Sequence, residues 1–355
     1  MRKRNFLTAI NFAVPPPLRF LKRLTNQTGI LQHTKYGVPH RMFGYSVDDN
    51  ARALLAAVNY YQLYKKKECL DLAVTYLSFL VHAKRSDGLF YNFQTFDHKF
   101  LQETSEDAFG ECIWALGNLI SSDVSPNLKL AAKDLFSEVE KNIEKLSSPR
   151  AKAYSLLGLS QILKAEPANK QIRQLLEKLT RDLLALYERY HDRNWHWFEA
   201  YLTYANHILP AALFVSFQIL GEKKILEVAE RSLAFLEKET HTKEGIPSPI
   251  GSPGWFTKGD KKAIFDQQPV EAAYAAIANF AAFRATKQKK YHQAALEWFA
   301  WFHGNNLKKV KVYDEATGGC FDAVNEQGVN LNQGAESIIC YLLAYLELAR
   351  VYKES

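Results

Sequence analysis

The sequence predicts an all-α fold, an (α/α)6 barrel, on three observations. Apolar residues recur three and four apart in about twelve segments, the spacing of a helix with a buried face. Those segments alternate between a small-residue type that is apolar all round and a charged amphipathic type, which places them alternately inside and at the surface. The connections alternate as well: one set is short and polar, whereas the other mostly runs far beyond the ~4–6 residues usual between elements.

Taken in order, the first helix is expected from about Leu18 to Gln32, ahead of a loop with Tyr36, Gly37, Pro39 and Gly44. An apolar helix opens at Asp48-Asp49 and ends at Lys65-Lys66-Lys67, and an amphipathic one follows through Leu72, Leu77 and Val81. Residues Arg85 to Glu103 carry Asp87-Gly88 and an aromatic run, and read as a turn with short strands. Helical pairs then follow at Glu106 to Ile120 with Leu128 to Leu146, and at Arg150 to Leu163 with Asn169 to Tyr190. Further pairs lie at His207 to Leu220 with Lys223 to Glu239, and at Pro269 to Thr286 with Tyr291 to His303. A last inner helix spans Gln333 to Tyr352, and the first helix is its outer partner. The expected organisation is an N-terminal extension over 1–17 and a single barrel domain over 18–355.

A hydrophobic fraction of 47% suits a sizeable core. Lys+Arg 45 against Asp+Glu 38 gives a net charge of +7, but the basic residues form no continuous stripe, so no nucleic acid partner is expected. Cys69, Cys112, Cys320 and Cys340 lack the spacing of a zinc site or redox pair, and a reducing, cytoplasmic compartment fits them. Basic residues and a short apolar run open the chain, yet Asn11 and Pro15-Pro16-Pro17 break it, which argues against a signal peptide. No apolar stretch approaches the ~20 residues of a membrane span.

The stretch Ser46-Val47-Asp48-Asp49-Asn50-Ala51-Arg52 sets the theme: a polar, acidic cluster at the mouth of an apolar helix. It recurs at Ser105-Glu106-Asp107, at Asp266-Gln267-Gln268-Pro269-Val270-Glu271 and at Asn332-Gln333-Gly334-Ala335-Glu336, with weaker versions at Arg150 and Asn206. Any one such carboxylate is also what a helix start needs for capping and for its dipole. Several on inner helices would converge on one barrel end, and that convergence points to a site. Paired carboxylates beside aromatics suit glycosidic chemistry, in which one acid protonates the leaving oxygen and a second carboxylate activates water or attacks.

Asp49 and Asp107 are the expected acid/base pair. Asp48, Glu106, Glu199, Asp266, Glu271 and Glu336 would orient them or bind hydroxyls. Tyr45, Trp195, Trp197, Tyr204 and Trp255 are candidate sugar-stacking platforms, although loop aromatics also simply pack over a barrel mouth. Asn50, Asn206, Gln267, Gln268, Asn332 and Gln333 are candidate hydroxyl contacts or caps. His196 or His207 would serve a sugar epimerase or isomerase if either faced the pocket. No metal or cofactor motif is present: there is no zinc spacing, P-loop or dinucleotide fingerprint.

The motifs Gly44 to Ala53, Ser105-Glu106-Asp107, Trp195 to Glu199 with Leu202 to Asn206, Phe265 to Glu271, and Tyr313 to Gly319 with Asn330 to Ser337 resemble a bacterial family of six-hairpin, glycosidase-like proteins. Its members occur alone or joined to group 1 glycosyltransferases, and often near genes for mannoside-active enzymes. The resemblance implies the barrel and a sugar-related role, with a short oligosaccharide of mannoside type as the expected substrate. It leaves open a non-catalytic carbohydrate-binding partner of a glycosyltransferase, and it fixes no reaction.

Overall fold

The computed structural model describes residues 10–354, so the opening basic and apolar run at 1–9 lies outside the described residues. Twelve α-helices follow in order: α1 (Arg19–Leu24), α2 (Val47–Tyr64), α3 (Glu68–Ala83), α4 (Glu106–Ser121), α5 (Pro126–Val139) and α6 (Pro149–Ala165) form the first half. The second half comprises α7 (Lys170–Tyr190), α8 (Ile208–Leu220), α9 (Lys223–Glu239), α10 (Pro269–Thr286), α11 (Lys289–Phe299) and α12 (Ala335–Glu354).

The even-numbered helices form a closed inner ring, each packing on the next, with α12 returning to α2. Each of α3, α5, α7, α9 and α11 packs outside its preceding inner helix, and α1 packs on α12. This is the (α/α)6 barrel, and one continuous apolar core joins the two layers.

Local chemistry sets the helix ends. Ser46, Ser105 and Ser148 cap α2, α4 and α6 by accepting an amide hydrogen bond, and proline occupies the first turn of α5, α6 and α10. Gly221 closes α8 in the left-handed conformation. One joint in the ring is backbone-tight. A Cβ on Gly110 would stand 2.5 Å from the Ala151 carbonyl oxygen, and one on Gly117 would run into the carbonyl of Gly158, so α4 and α6 meet without side chains between them.

Three expected boundaries differ. The first helix stops at Leu24 because Asn26 accepts amides of Thr28 and Gly29 in a tight turn, after which Ile30 and Leu31 run extended. The helices expected to reach Leu146 and His303 end at Val139 and Phe299 and tighten into 3₁₀ turns.

The long connections carry five short antiparallel strand pairs around the N-terminal ends of the inner helices. At the opposite end, Phe12 packs on Phe299, Tyr345 and Tyr352, while the hydroxyls of Tyr60, Tyr64 and Tyr345 donate to carbonyls between Asn11 and Pro16. The segment ahead of α1 therefore covers the barrel end with the short connections. No described helix is long and apolar enough to cross a membrane.

Candidate functional site

A cavity of about 350 Å³ opens at the N-terminal ends of the inner helices. Its wall follows from helix geometry, because positions four apart share a face. The first turns supply Asp48 on α2, Asp107 on α4, Val270 on α10 and Glu336 on α12. One turn deeper come Arg52, Glu111 and Tyr154. Tyr204 and Trp255, from two long connections, complete the rim with ring centroids 6.1 Å apart.

Arg52 is buried and holds a cluster of carboxylates. Its guanidinium lies 2.8 Å from Glu336, 3.0 Å from Asp49, 3.2 Å from Asp48 and 3.5 Å from Glu111. One positive charge cannot neutralise four negative ones in a poorly hydrated place, so protons stay. Burial, then the neighbouring Asp48, pushes Asp49 up to about 8. Burial raises Glu111 well above the usual carboxylate range against the pull of Arg52. At neutral pH Asp49 and Glu111 therefore hold protons.

Asp107 is held differently. Its two oxygens accept from the Ser148 hydroxyl and, at 2.6 Å, from the Tyr204 hydroxyl. The same Ser148 oxygen caps α6 at Ala151, so the start of that helix and the aim of Asp107 are fixed together. Tyr204 is placed by Arg150, which donates to its carbonyl at 2.6 Å and lies over its ring at 4.9 Å. Arg150 also binds Glu199 at 2.8 Å, Thr203 and Asn206, and so pins the whole 199–206 connection to α6. Beneath it, Glu271 accepts from the Ala205 amide, and burial pushes its carboxyl up to about 7.

Of the residues singled out from sequence, Asp48, Asp107, Tyr204, Trp255, Gln268 and Glu336 line the cavity. Asp49 stands behind the wall, its oxygens taken by Ser46 and Arg52, and Asp48 has the exposed position. Glu106 points away and accepts from Ser147 and the Ser148 amide, as a clamp on the start of α6. Glu199, Asn206 and Glu271 support the Arg150 connection from within.

The aromatic expectation needs correction at three positions. Trp195 and Trp197 are buried, the first donating to the Glu199 carbonyl and packing on Phe235 and Phe256, the second packing on Phe198 and Phe235. They anchor the connection in the core and present no face to a sugar. Tyr45 is buried too, its hydroxyl accepting from Asn26.

The amides divide likewise. Asn50 accepts the Ile30 amide and donates to the Ser46 carbonyl; Gln267 donates to Ser248 and the Ile264 carbonyl. Asn332 accepts the Tyr36 amide, and Gln333 ties to Asp314 and Thr317, so these four are scaffold contacts. Asp266 is half-buried beside Ser252 through its backbone.

Arg52, Glu111 and Tyr154 are not among the residues singled out from sequence. The signal is nonetheless in it: each lies four after a residue at a helix mouth, Asp48, Asp107 and Arg150. Among the described residues no histidine lines the cavity. His207 is fully buried against Trp298, with both ring nitrogens unpartnered and its pKa pushed down to about 3 by burial. His196 contacts the Tyr187 hydroxyl. No three His, Cys, Asp or Glu side chains among the described residues are grouped to hold a metal ion.

No family model matches the sequence, and no curated protein matches it. Solved structures match over nearly the whole chain. A sugar epimerase from a ruminal bacterium superposes with a TM-score of 0.74 at 14% identity, covering 98% of this chain and 97% of its own. The cellobiose 2-epimerase of Bacillus thermoamylovorans does so with a TM-score of 0.74 at 14% identity, over 99% and 98% of the two chains. A family 76 alpha-mannanase of Bacteroides thetaiotaomicron gives 0.68 at 11% identity over 98% of each. An inactive variant of a family 76 alpha-1,6-mannanase of Salegentibacter, with two consecutive aspartates changed to alanine and alpha-1,6-mannotetrose bound, gives 0.65 at 11% identity over 94% and 96%. At such identities the likeness is one of fold.

Proposed function

We propose that this chain is a carbohydrate-active enzyme, and specifically a glycoside hydrolase acting on a short oligosaccharide of the mannoside class. The observation that carries the reading is the pair Asp48 and Asp107, on adjacent inner helices and facing one cavity with different partners. Asp48 is paired with Arg52 beside the buried Asp49 and Glu111, while Asp107 is held by two hydroxyl donors. Acid and base roles are separated in this way when two carboxyl groups flank a glycosidic bond.

In this mechanism Asp48, half-exposed on the wall, is the acid that protonates the leaving oxygen. Arg52 holds it in register with Asp49, Glu111 and Glu336. Asp107 acts as base or nucleophile, oriented by Ser148 and Tyr204. Trp255 and Tyr204 form the platform on which a pyranose ring rests. The fold likeness to mannanases supports the substrate class, and the mannanase inactivated by loss of two consecutive aspartates parallels the Asp48-Asp49 pair in chemistry.

The epimerases and the D-mannose isomerase of the same fold support a second reading, sugar epimerisation or isomerisation. It would need His196 or His207 in the pocket opposite another base, and neither is among the described residues that line the cavity. The test is one panel: manno- and gluco-oligosaccharides incubated with wild type, Asp48→Asn and Asp107→Asn, with products read by NMR and binding measured alongside. We expect cleavage by wild type and a loss of roughly 10²–10⁴-fold in kcat/KM in each variant while binding survives. New epimers without cleavage would move the assignment to the second reading. Binding without any reaction, equal in all three proteins, would leave a non-catalytic carbohydrate partner of a glycosyltransferase.

A further inference from the structure

Glu111 lines the cavity yet takes no part in the acid/base pair. It is buried, one turn below Asp107 on α4. Its neighbours reach it from two other inner helices. Arg52 on α2 stands 3.5 Å from Oε1, and the Tyr274 hydroxyl on α10 donates to the same oxygen at 3.5 Å. Both contacts are long, and the same Arg52 nitrogen is closer to Glu336, at 2.8 Å. Among the described residues, Oε2 has no hydrogen-bond partner.

The placement of those donors decides which oxygen carries the proton. A carboxylic acid has one carbonyl oxygen, which accepts, and one hydroxyl, which can donate. Glu111 holds a proton at neutral pH because burial outweighs the pull of Arg52. Two donors converge on Oε1, so Oε1 is the carbonyl and the proton resides on Oε2. An O–H left unbonded in a poorly hydrated place costs free energy that an acceptor on a ligand recovers.

Tyr154 lines the floor with it and is held by aromatic packing. Its buried ring stacks on Trp114 with centroids 6.0 Å apart and meets Tyr274 edge-on at 5.9 Å. Tyr274 in turn bonds Oε1, so the same aromatic group sets the aim of Glu111. An occupant that fills the cavity touches Tyr204 and Trp255 at the rim and meets Glu111 and Tyr154 below.

We propose that Glu111 is a substrate-contacting residue, whose Oε2 hydroxyl donates a hydrogen bond to one hydroxyl oxygen of the sugar unit seated over the cavity floor. The proposal rests on the carbohydrate reading above and adds to it a specificity element apart from the acid/base pair. The contact is selective. A sugar that lacks this hydroxyl, or carries it on the other face of the ring, leaves a buried donor unpaired.

The test uses the full chain carrying Asp107→Asn to suppress turnover. It is titrated calorimetrically with the tighter-binding of alpha-1,6-linked mannobiose and its gluco counterpart, and with analogues of that disaccharide lacking one hydroxyl at a time. We expect one analogue to bind about tenfold more weakly than the disaccharide, through loss of this hydrogen bond. Adding Glu111→Met, a side chain of similar length with no donor, should weaken the disaccharide by about the same factor and abolish the penalty of that analogue alone. Glu111→Gln, whose amide can donate from the same position, should keep both. A Glu111→Met protein that binds every ligand more weakly by one factor, or keeps the pattern of penalties unchanged, overturns the contact and leaves the cavity assignment standing. Difference infrared spectra give a second reading that needs only the parent and Glu111→Gln. The protonated-carboxyl band that this substitution removes should shift when the disaccharide is added; no such band, or a band indifferent to the ligand, equally overturns the contact. Failure of both disaccharides to bind the parent overturns the carbohydrate reading and the contact together.

Discussion

Two buried arginines stand at the mouths of inner helices, and their surroundings differ in one respect. Arg150 meets one carboxylate, Glu199, and three neutral oxygens, from Tyr204, Thr203 and Asn206. Arg52 meets four carboxylates, Asp48, Asp49, Glu111 and Glu336. The first is a balanced pair that fastens a connection to the barrel. The second is over-subscribed, and burial together with the neighbouring carboxylates keeps protons on Asp49 and Glu111 at neutral pH. Charge balance, more than the presence of buried charge, distinguishes the cavity wall from the joint that fastens the connection.

Removal of the hub makes the sharpest break in that comparison. Arg52→Met strands several buried carboxylates and should cost roughly 4–5 kcal/mol at pH 7, measured by denaturant unfolding. Asp49 already holds a proton at pH 7, so the loss should grow as pH rises through about 8, where Asp49 ionises with no cation beside it; a loss that stays constant between pH 6 and 9 would show that Arg52 carries no charge-dependent load. Arg150→Met strands only Glu199 and should cost about 3 kcal/mol, with faster proteolysis within 191–206.

Glu271 sharpens the same comparison through pH. Its folded-state pKa of about 7 lies above its unfolded value near 4.5, so its contribution to stability is complete below pH 4.5 and is lost as pH rises through 7. Glu271→Gln should therefore flatten the decline between pH 4.5 and 8 by on the order of 3 kcal/mol. The smallest effect belongs to Tyr204→Phe, which keeps the ring on Arg150 and removes only the hydrogen bond to Asp107. We expect about 1 kcal/mol in stability and a fall in kcat with KM little changed.

Much of the architecture is legible in the sequence, because inner and outer helices differ in composition along their whole length. α10 shows this at one extreme, apolar on every face, and α7 at the other, with leucines on one side and Arg, Lys and Glu on the other. The first-turn layer of the cavity is legible for the same reason that caps are, since Asp48, Asp107 and Glu336 stand at visible helix starts. The deeper layer is not announced by any start signal: Arg52 and Glu111 lie inside apolar helices, and only the four-residue repeat from the mouth finds them. The aromatic connection at 195–198 misleads because a tryptophan that plugs a core and one that receives a sugar look alike along a chain. Burial decides between them, and burial here depends on Phe235 and Phe256, far away in sequence.

The ring closes where α12 meets α2, and Glu336 and Asp48 share Arg52 across that joint. The two helices belong to opposite ends of the described chain. A polypeptide emerging from the ribosome presents α2 before α12, so the pocket has no complete wall until α12 has been made and docked. A ligand of the cavity then binds only the closed ring, which should make ligand protection against heat or protease a report on the barrel as a whole.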